Sequence, residues 1–150
     1  MIQIRLAVPE DADQLVKLFH ELWPDDSIEE HAAFLERLFK GTASSMPLDV
    51  FVADKDGELI GFIEMGLRSH ADGCDTALPV GFIEGWYVAP AHRGSRLGAK
   101  LVEAAEQWAR EKGCTEMASD TAIDNVDSQR AHQALGYEIV DRCVHFRKPL

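Results

Sequence analysis

Several features that mark common protein classes are scarce or missing in this 150-residue chain. It has three cysteines, Cys74, Cys114 and Cys143, with no CxxC pair and no Cys/His cluster, which argues against a disulfide framework and against structural zinc. No apolar run approaches the roughly 18 residues that a membrane-spanning helix needs. The first 20 residues lack the apolar core of a secretory signal. We therefore expect a cytoplasmic protein with free thiols, no metal and no membrane partner.

Basic residues are also scarce. The chain carries 15 Lys and Arg against 26 Asp and Glu, a net charge of −11, which argues against nucleic acid as a main partner and favours a cationic one. Its 46% hydrophobic content is enough for the core of one domain over residues 1–150. Three bases, Arg93, Arg96 and Lys100, nevertheless lie within residues 88–102, where there is no acid. This contrast predicts an anion site.

Apolar periodicity and turn signals predict the element order β-α-α-β-β-β-α-β-α-β, a mixed α/β (α+β) layer fold. Strands are expected at residues 2–6, 49–54, 58–68, 80–88 and 114–119, with one or two more in 137–147; helices are expected at 9–23, 28–41, 95–112 and 126–135. If the strand at 80–88 paired regularly, Val80, Phe82, Glu84, Trp86 and Val88 would share one face. One acid would then lie in the middle of an apolar face.

The segment from residue 85 to residue 98 reads as a strand, a turn rich in glycine and arginine, and the start of a helix. The first N–H groups of a helix have no internal partner, and the helix dipole favours negative charge there. Together with Arg93 and Arg96, this arrangement predicts a pyrophosphate site. It is neither a GxxxxGK[ST] loop nor a GxGxxG fingerprint. The alternative is a helix N-terminus that merely carries basic surface residues.

The same segment resembles the phosphate motif of the GNAT family of N-acetyltransferases, which transfer acetyl from acetyl-CoA to an amine. That motif, Arg/Gln-x-x-Gly-x-Gly/Ala after a strand ending in Val-x-Pro, matches residues 88–90 and 93–98. The resemblance implies the GNAT fold, a central mixed, mostly antiparallel sheet of six to seven strands flanked by about four helices. It also implies cofactor contacts from Trp86, Tyr87, Val88, Arg93, Gly94, Ser95, Arg96, Leu97, Gly98 and Asn125. Arg96 stands where glycine is usual, and it would be strained if that position needs a positive φ.

Longer blocks are similar to the aminoglycoside 6'-N-acetyltransferases within this family. They are residues 22–24, 82–85, 113–120, Asn125 and 132–137. This narrower resemblance implies a substrate pocket that contains Trp23, His70, Glu84, Asp120 and Asp141. Physical reasoning agrees, because a polycationic aminoglycoside needs carboxylates and an acidic protein attracts it. The flat face of Trp23 can pack against a sugar or a cation.

A direct transfer mechanism follows as a hypothesis, with Glu84, Asp120 and His132 as the catalytic residues. Glu84, or else Asp120, would accept a proton from the substrate ammonium, and His132 or Tyr137 would supply one to the leaving thiolate. His132 stands where the family usually has tyrosine. Structural alternatives stay open for these residues: a charge at a sheet opening for Glu84, a loop or cap acid for Asp120, and a partly exposed helix histidine for His132.

Two other functions remain open at this point. The acidic surface also suits acetylation of another amine, such as a polyamine or a peptide N-terminus. A protein of a different class, a non-catalytic sensor that binds acetyl-CoA, would share the phosphate turn. We expect a homodimer, because related enzymes are often dimers and the apolar final strands would permit one.

Overall fold

A five-stranded sheet lies between two helical layers in the computed structural model, which describes residues 1–150. In chain order the elements are β1 (Ile2–Leu6), a 3-10 turn (Pro9–Asp11), α1 (Ala12–Leu22), α2 (Ile28–Lys40), β2 (Leu48–Lys55), β3 (Glu58–Arg68), β4 (Val80–Val88), a 3-10 turn (Pro90–His92), α3 (Leu97–Glu111), β5 (Met117–Ser119) and α4 (Val126–Ala134). β1 to β4 pair antiparallel in chain order, and β5 pairs parallel to β4. The predicted mixed α/β fold is confirmed. No helix has the length and apolar character required to cross a membrane.

The two faces of the sheet are covered by different helices. α1 and α2 pack on one face, where Phe19, Leu35 and Phe62 are almost completely buried. α3 packs on the other face through Leu101 and Ala105, which are fully buried. Both helical segments show the apolar stripe from which they were predicted. We call the first face the α1 face and the second the α3 face.

β4 contains a bulge that the sequence pattern did not reveal. Met65 of β3 lies opposite Ile83, but the preceding residue, Glu64, lies opposite Gly85. Glu84 is therefore an extra residue in β4, and the alternation of faces changes there. As a result, Glu84 lies on the α1 face, where it meets Arg68, whereas Trp86 packs on the α3 face. The five alternate residues of this strand do not share one face, because its pairing is not regular.

β4 and β5 separate soon after they meet. Only Gly81–Ile83 of β4 pair with β5, so Gly85 to Val88 have no strand on that edge. β5 itself covers Met117–Ser119 rather than residues 114–119, because the Cys114 amide still donates to the Ala109 carbonyl of α3. The result is a cleft that begins beside the bulge and leads toward the start of α3.

The predicted final strands are absent. Residues 138–150 form neither strand nor helix, so the sheet has five strands rather than six to seven. An extended segment becomes a strand only when a neighbour takes its backbone hydrogen bonds, and no strand of this chain lies beside it. Its apolar side chains consequently face solvent, with Val144 75% and Phe146 93% exposed.

Candidate active site

The basic turn between β4 and α3 presents unpaired backbone N–H groups. Lys100 makes the first helical hydrogen bond, to the Arg96 carbonyl, so the amides of Leu97, Gly98 and Ala99 precede that ladder. No side chain caps the helix, and no acid lies in its first turn. The turn therefore offers hydrogen-bond donors and the positive end of the helix dipole to an anion.

Two residues in this turn have left-handed backbone conformations. Gly94 has φ of 83°, which glycine adopts without cost, whereas Arg96 has φ of 63°. The strain expected for Arg96 is therefore present. A left-handed conformation costs an ordinary L-residue about 1–2 kcal/mol, so the turn holds its shape against a local penalty.

Contacts within the turn fix it to the end of β4. The Arg93 Nε donates to the Val88 carbonyl at 2.8 Å, and its guanidinium lies 5.4 Å from the centre of the Tyr87 ring. Trp86 Nε1 donates to the Gly98 carbonyl at 3.2 Å. A Cβ at Gly98 would come within 3.2 Å of the Trp86 ring, so glycine permits this close packing. The turn thus lies at the open end of the β4–β5 cleft.

Glu84 is clamped by an arginine that the sequence analysis did not select. Arg68 Nε and Nη2 donate to the two carboxylate oxygens of Glu84 at 3.0 and 2.6 Å, and the guanidinium lies 3.5 Å above the Phe82 ring. The hydrogen bond with Glu84, aided by the charges of Glu84 and Asp120, raises the pKa of Arg68. Glu84, Asp120 and Arg68 thus form one group, the carboxylate cluster, with a net charge of −1 when all three are ionised.

A buried carboxylate, which the sequence analysis also missed, lies close to this cluster. Glu64 points from β3 into the α1 face and is only 7% exposed. Burial, reinforced by the charge of Glu84, raises the pKa of Glu64 to about 7. Its sequence signal was an acid inside the apolar run from residue 59 to residue 67, the same signal that drew attention to Glu84.

Trp23 lies directly against β4, beside the cluster. A Cβ built on Gly85 would be 2.3 Å from the indole Cη2, so only glycine allows this contact. The ring also meets Phe19 edge-on, with centroids 5.3 Å apart. Trp23 therefore packs against the core of the α1 face, next to Glu84.

His70 and Asp141 are less closely associated with the cluster. His70 is exposed on the loop after β3, with its Nδ1 2.9 Å from the Ser69 hydroxyl. Asp141 is exposed in the segment without regular structure and accepts a hydrogen bond from the Arg142 amide. Neither residue forms a hydrogen bond or ion pair with Glu84 or Asp120. Their assignment as substrate-binding residues stays a prediction.

His132 lies in the cleft between β4 and β5, on the α3 face. Its ring meets Trp86 edge-on at 5.2 Å. Nδ1 lies 2.7 Å from the Ser128 carbonyl, which can only accept, so Nδ1 carries the proton. Nε2 then accepts from the Ser119 hydroxyl at 2.8 Å when the ring is neutral. The imidazole is thus held in one orientation by partners on both sides.

Two other predicted residues have structural contacts of their own. Asn125 caps α4, since its Oδ1 accepts from the Ser128 amide at 3.1 Å. The Tyr137 hydroxyl donates to Glu106 at 2.7 Å, and burial raises the pKa of this phenol well above its usual value. Tyr137 therefore anchors the chain after α4 to α3, and its hydroxyl is already engaged.

Comparison with known proteins decides the family. The family model described as "Acetyltransferase (GNAT) family" matches residues 13–137. The chain belongs to the GNAT acetyltransferase family. The resemblance seen in the turn and in the longer blocks is thereby confirmed.

Other GNAT proteins match this chain over nearly its full length. An aminoglycoside N(6')-acetyltransferase type 1 from Stenotrophomonas maltophilia is 40% identical and covers 98% of this chain and 93% of that protein. One from Klebsiella aerogenes is 42% identical, covering 87% of this chain and 85% of that protein. Among solved structures, AAC(6')-Iy in complex with the bisubstrate analogue CoA-S-monomethyl-acetylneamine superimposes with a TM-score of 0.90 at 35% identity, covering 100% of this chain and 99% of that chain. The structure of AAC(6')-Iy with CoA gives a TM-score of 0.91, covering 100% of this chain and 96% of that one.

Proposed function

We propose that this GNAT protein is an aminoglycoside 6'-N-acetyltransferase, which transfers acetyl from acetyl-CoA to the 6'-amino group and so confers antibiotic resistance. Relatives of that name match it at about 40% identity over most of their length. Within the structure, the proposal rests on two sites that lie along the same strand, β4. A carboxylate cluster beside Trp23 lies at the bulge of β4, and an uncapped, basic helix start lies at the end of the same strand.

The cofactor site of the proposal follows β4 into α3. The CoA pyrophosphate would bind to the amides that begin α3 and to the bases Arg93 and Arg96. The pantetheine arm would lie along Gly85 to Val88, taking up backbone groups as an added strand does, with Asn125 on its other side. An amide near Val88 would stabilise the oxyanion that develops on the thioester carbonyl. The residues present fit this cosubstrate, and it supplies the activated acetyl group.

Glu84 is the proposed proton acceptor, directly or through water, with Asp120 as the alternative. The substrate ammonium must lose a proton before the nitrogen can attack, and Arg68 holds the Glu84 carboxylate in a fixed orientation. We expect Glu84→Gln to lower kcat or to raise the pH optimum, with the exposed Glu103→Gln on α3 as a matched control. An unchanged rate and pH profile would transfer the role to Asp120.

His132 is the proposed partner of the leaving thiolate. Tyr137 is less suitable because its hydroxyl donates to Glu106. In the neutral ring Nε2 accepts from the Ser119 hydroxyl, so a protonated His132 would have to direct its single Nε2 hydrogen to the sulfur in place of Ser119. His132 and Trp86 are in contact, so this donor lies beside the strand that would hold the thioester.

Release of free thiol tests the proposal against the two open alternatives. Purified protein is incubated with acetyl-CoA and, separately, with kanamycin, spermidine or a peptide with a free N-terminus. We expect rapid thiol release with kanamycin and a product acetylated at the 6'-amine. Faster release with spermidine or the peptide would favour another amine as substrate. No release with any amine, despite acetyl-CoA binding, would favour a sensor.

We also propose a cytoplasmic homodimer. The three free thiols suit a reducing compartment. Residues 138–150 expose Val144 and Phe146, and β5 has no strand on its outer edge, so a second copy could cover apolar surface and pair with the open edge. Light scattering after size exclusion should give twice the chain mass, and Phe146→Asp should reduce the dimer fraction. A monomeric wild-type protein at micromolar concentration would contradict this proposal.

A further inference from the structure

A cavity of about 430 Å³ lies between the α1–α2 pair and β3. Its inner lining includes the buried side chains of Phe19, His31 and Glu64, and Trp23 borders it. Its outer lining is exposed and comprises Asp26, Glu30, Ala33 and Arg37. The cavity is therefore open to solvent at α2 and reaches inward to Glu64.

Glu64 is the polar group of this cavity that the protein leaves without a partner. Only 7% of the residue is exposed, yet no hydrogen bond or ion pair engages its carboxyl. The other deeply buried acid, Asp11, accepts two hydrogen bonds from Arg5 and one from the Val8 amide. Every fully enclosed side-chain oxygen or nitrogen of the protein has a hydrogen-bond partner. Because the Glu64 oxygens have no partner, they are not fully enclosed, and they keep access to the cavity. A buried carboxylate without a partner is costly, and a cation would remove that cost.

The rest of the lining also suits a cation. Asp26, Glu30 and an ionised Glu64 supply three negative charges and Arg37 one positive charge, a net charge of −2. The ring of Trp23 adds an aromatic surface of the kind that attracts ammonium groups. One ring nitrogen of His31 is already engaged, because its Nε2 donates to the Trp23 carbonyl at 3.0 Å.

We propose that this cavity is a binding subsite for a protonated primary amine, and that the carboxylate of Glu64 accepts its hydrogen bond. The inference rests on the proposed function, because the amine would be an amino group of the aminoglycoside other than the one acetylated. Glu64 and Gly85 are opposite one another on adjacent strands, so the subsite adjoins Glu84. An aminoglycoside carries several amines, so it would place its 6'-amine at Glu84 and another amine in the subsite.

Amine binding at Glu64 must depend on pH. The groups that face it are Glu84 from β4, His31, Glu30 and Arg37 from α2, and Asp26 from the turn before α2. α1 lines the cavity only with Phe19, and its His20 lies behind His31, with ring centroids 5.8 Å apart. All of these, and the amines of the ligand, are shared by the wild type and a Glu64→Gln variant. The ratio of their two dissociation constants at each pH therefore isolates the titration of Glu64.

Calorimetric titration of the full chain with kanamycin at pH 6 and pH 8 tests the subsite without requiring turnover. At pH 8 we expect Glu64→Gln to raise the Kd about 10-fold or more, the low end for a hydrogen bond to a charged group. At pH 6, where Glu64 is mostly protonated, we expect the ratio to fall toward 1. Glu103→Gln serves as the matched control, with no change at either pH.

A second variant fills the cavity from outside. Ala33 is exposed on α2 and lines the cavity, so Ala33→Phe should fold normally, weaken kanamycin binding, and leave acetyl-CoA binding unchanged. Binding by Glu64→Gln within twofold of the wild type at pH 8, or a ratio that does not change with pH, would overturn the proposal. Wild-type protein that binds kanamycin but does not acetylate it would refute the proposed function alone.

Discussion

Replacing Glu64 by Gln should make the protein more stable in mildly alkaline solution, although the same change weakens amine binding. Burial and the charge of Glu84 raise the pKa of Glu64 from its ordinary value of 4.5 to about 7 in the folded chain. The folded state therefore binds more protons than the unfolded state between these pH values, and stability falls as pH rises through that window. At about 1.4 kcal/mol per pH unit, the difference between 4.5 and about 7 costs about 3 kcal/mol at pH 8.

Denaturant unfolding of the wild type and the variant from pH 5 to pH 8 measures this cost. The free energy of unfolding of Glu64→Gln, minus that of the wild type, should grow by about 2–3 kcal/mol across this range. Burial of the new amide also lowers the free energy of unfolding, but by an amount that does not depend on pH. The test is therefore how the difference between variant and wild type changes with pH. A difference that stays constant from pH 5 to pH 8 would refute the reasoning. It would mean that Glu64 finds a partner in the folded chain.

Three further changes test other parts of the structure. Gly85→Ala should lower the free energy of unfolding by about 1–3 kcal/mol and raise the KM for kanamycin, because the new Cβ would displace Trp23. If Gly85→Ala destabilised a Trp23→Leu variant by the same amount, a clash with Trp23 would not be the cause. Arg96→Gly should weaken acetyl-CoA binding in a titration while leaving thermal stability equal or higher, since glycine accepts the positive φ; a clear loss of stability would contradict the strain. Arg5 lowers the pKa of Asp11, so the ionised Asp11 stabilises the folded state above about pH 4, and this stabilisation is lost in acid. Asp11→Asn should therefore lower the free energy of unfolding by about 1.5–3 kcal/mol at pH 7 and reduce the loss of stability in acid. If the variant lost stability in acid as steeply as the wild type, the Arg5–Asp11 pair would not be the source of that loss.

Periodicity predicted the helices and the first four strands well, because each buries one face and repeats its apolar residues accordingly. It failed at residues 137–147, where alternation alone cannot provide a neighbouring strand. It also could not reveal the bulge at Glu84, since the side-chain pattern of one strand contains no information about the pairing register of the next. The two main differences from the prediction are therefore the missing final strands and the irregular pairing at Glu84.

The site was predicted unevenly for a similar reason. The basic turn was found because residues 88–102 contain three bases and no acid in an otherwise acidic chain. Glu84 was found because it interrupts an apolar strand. Glu64 shows the same signal, but only the cavity reveals that its carboxyl has no partner. The clamp from Arg68 depends on which strands are adjacent, which sequence spacing does not give. The positions of His70 and Asp141 depend on the paths of loops, so their roles stay predictions.

The bulge in β4 also has a consequence for how the substrate range of this scaffold can be redesigned. Glu84 is an added residue, so Ile83 before it and Gly85 after it keep the partners that they would have in a regular ladder. The side chain at position 84 contributes to neither helical core. Its chemistry can therefore be exchanged, together with that of Arg68, at little cost to the framework. The same β4 and α3 elements could then present a different reactive group to a different class of acceptor.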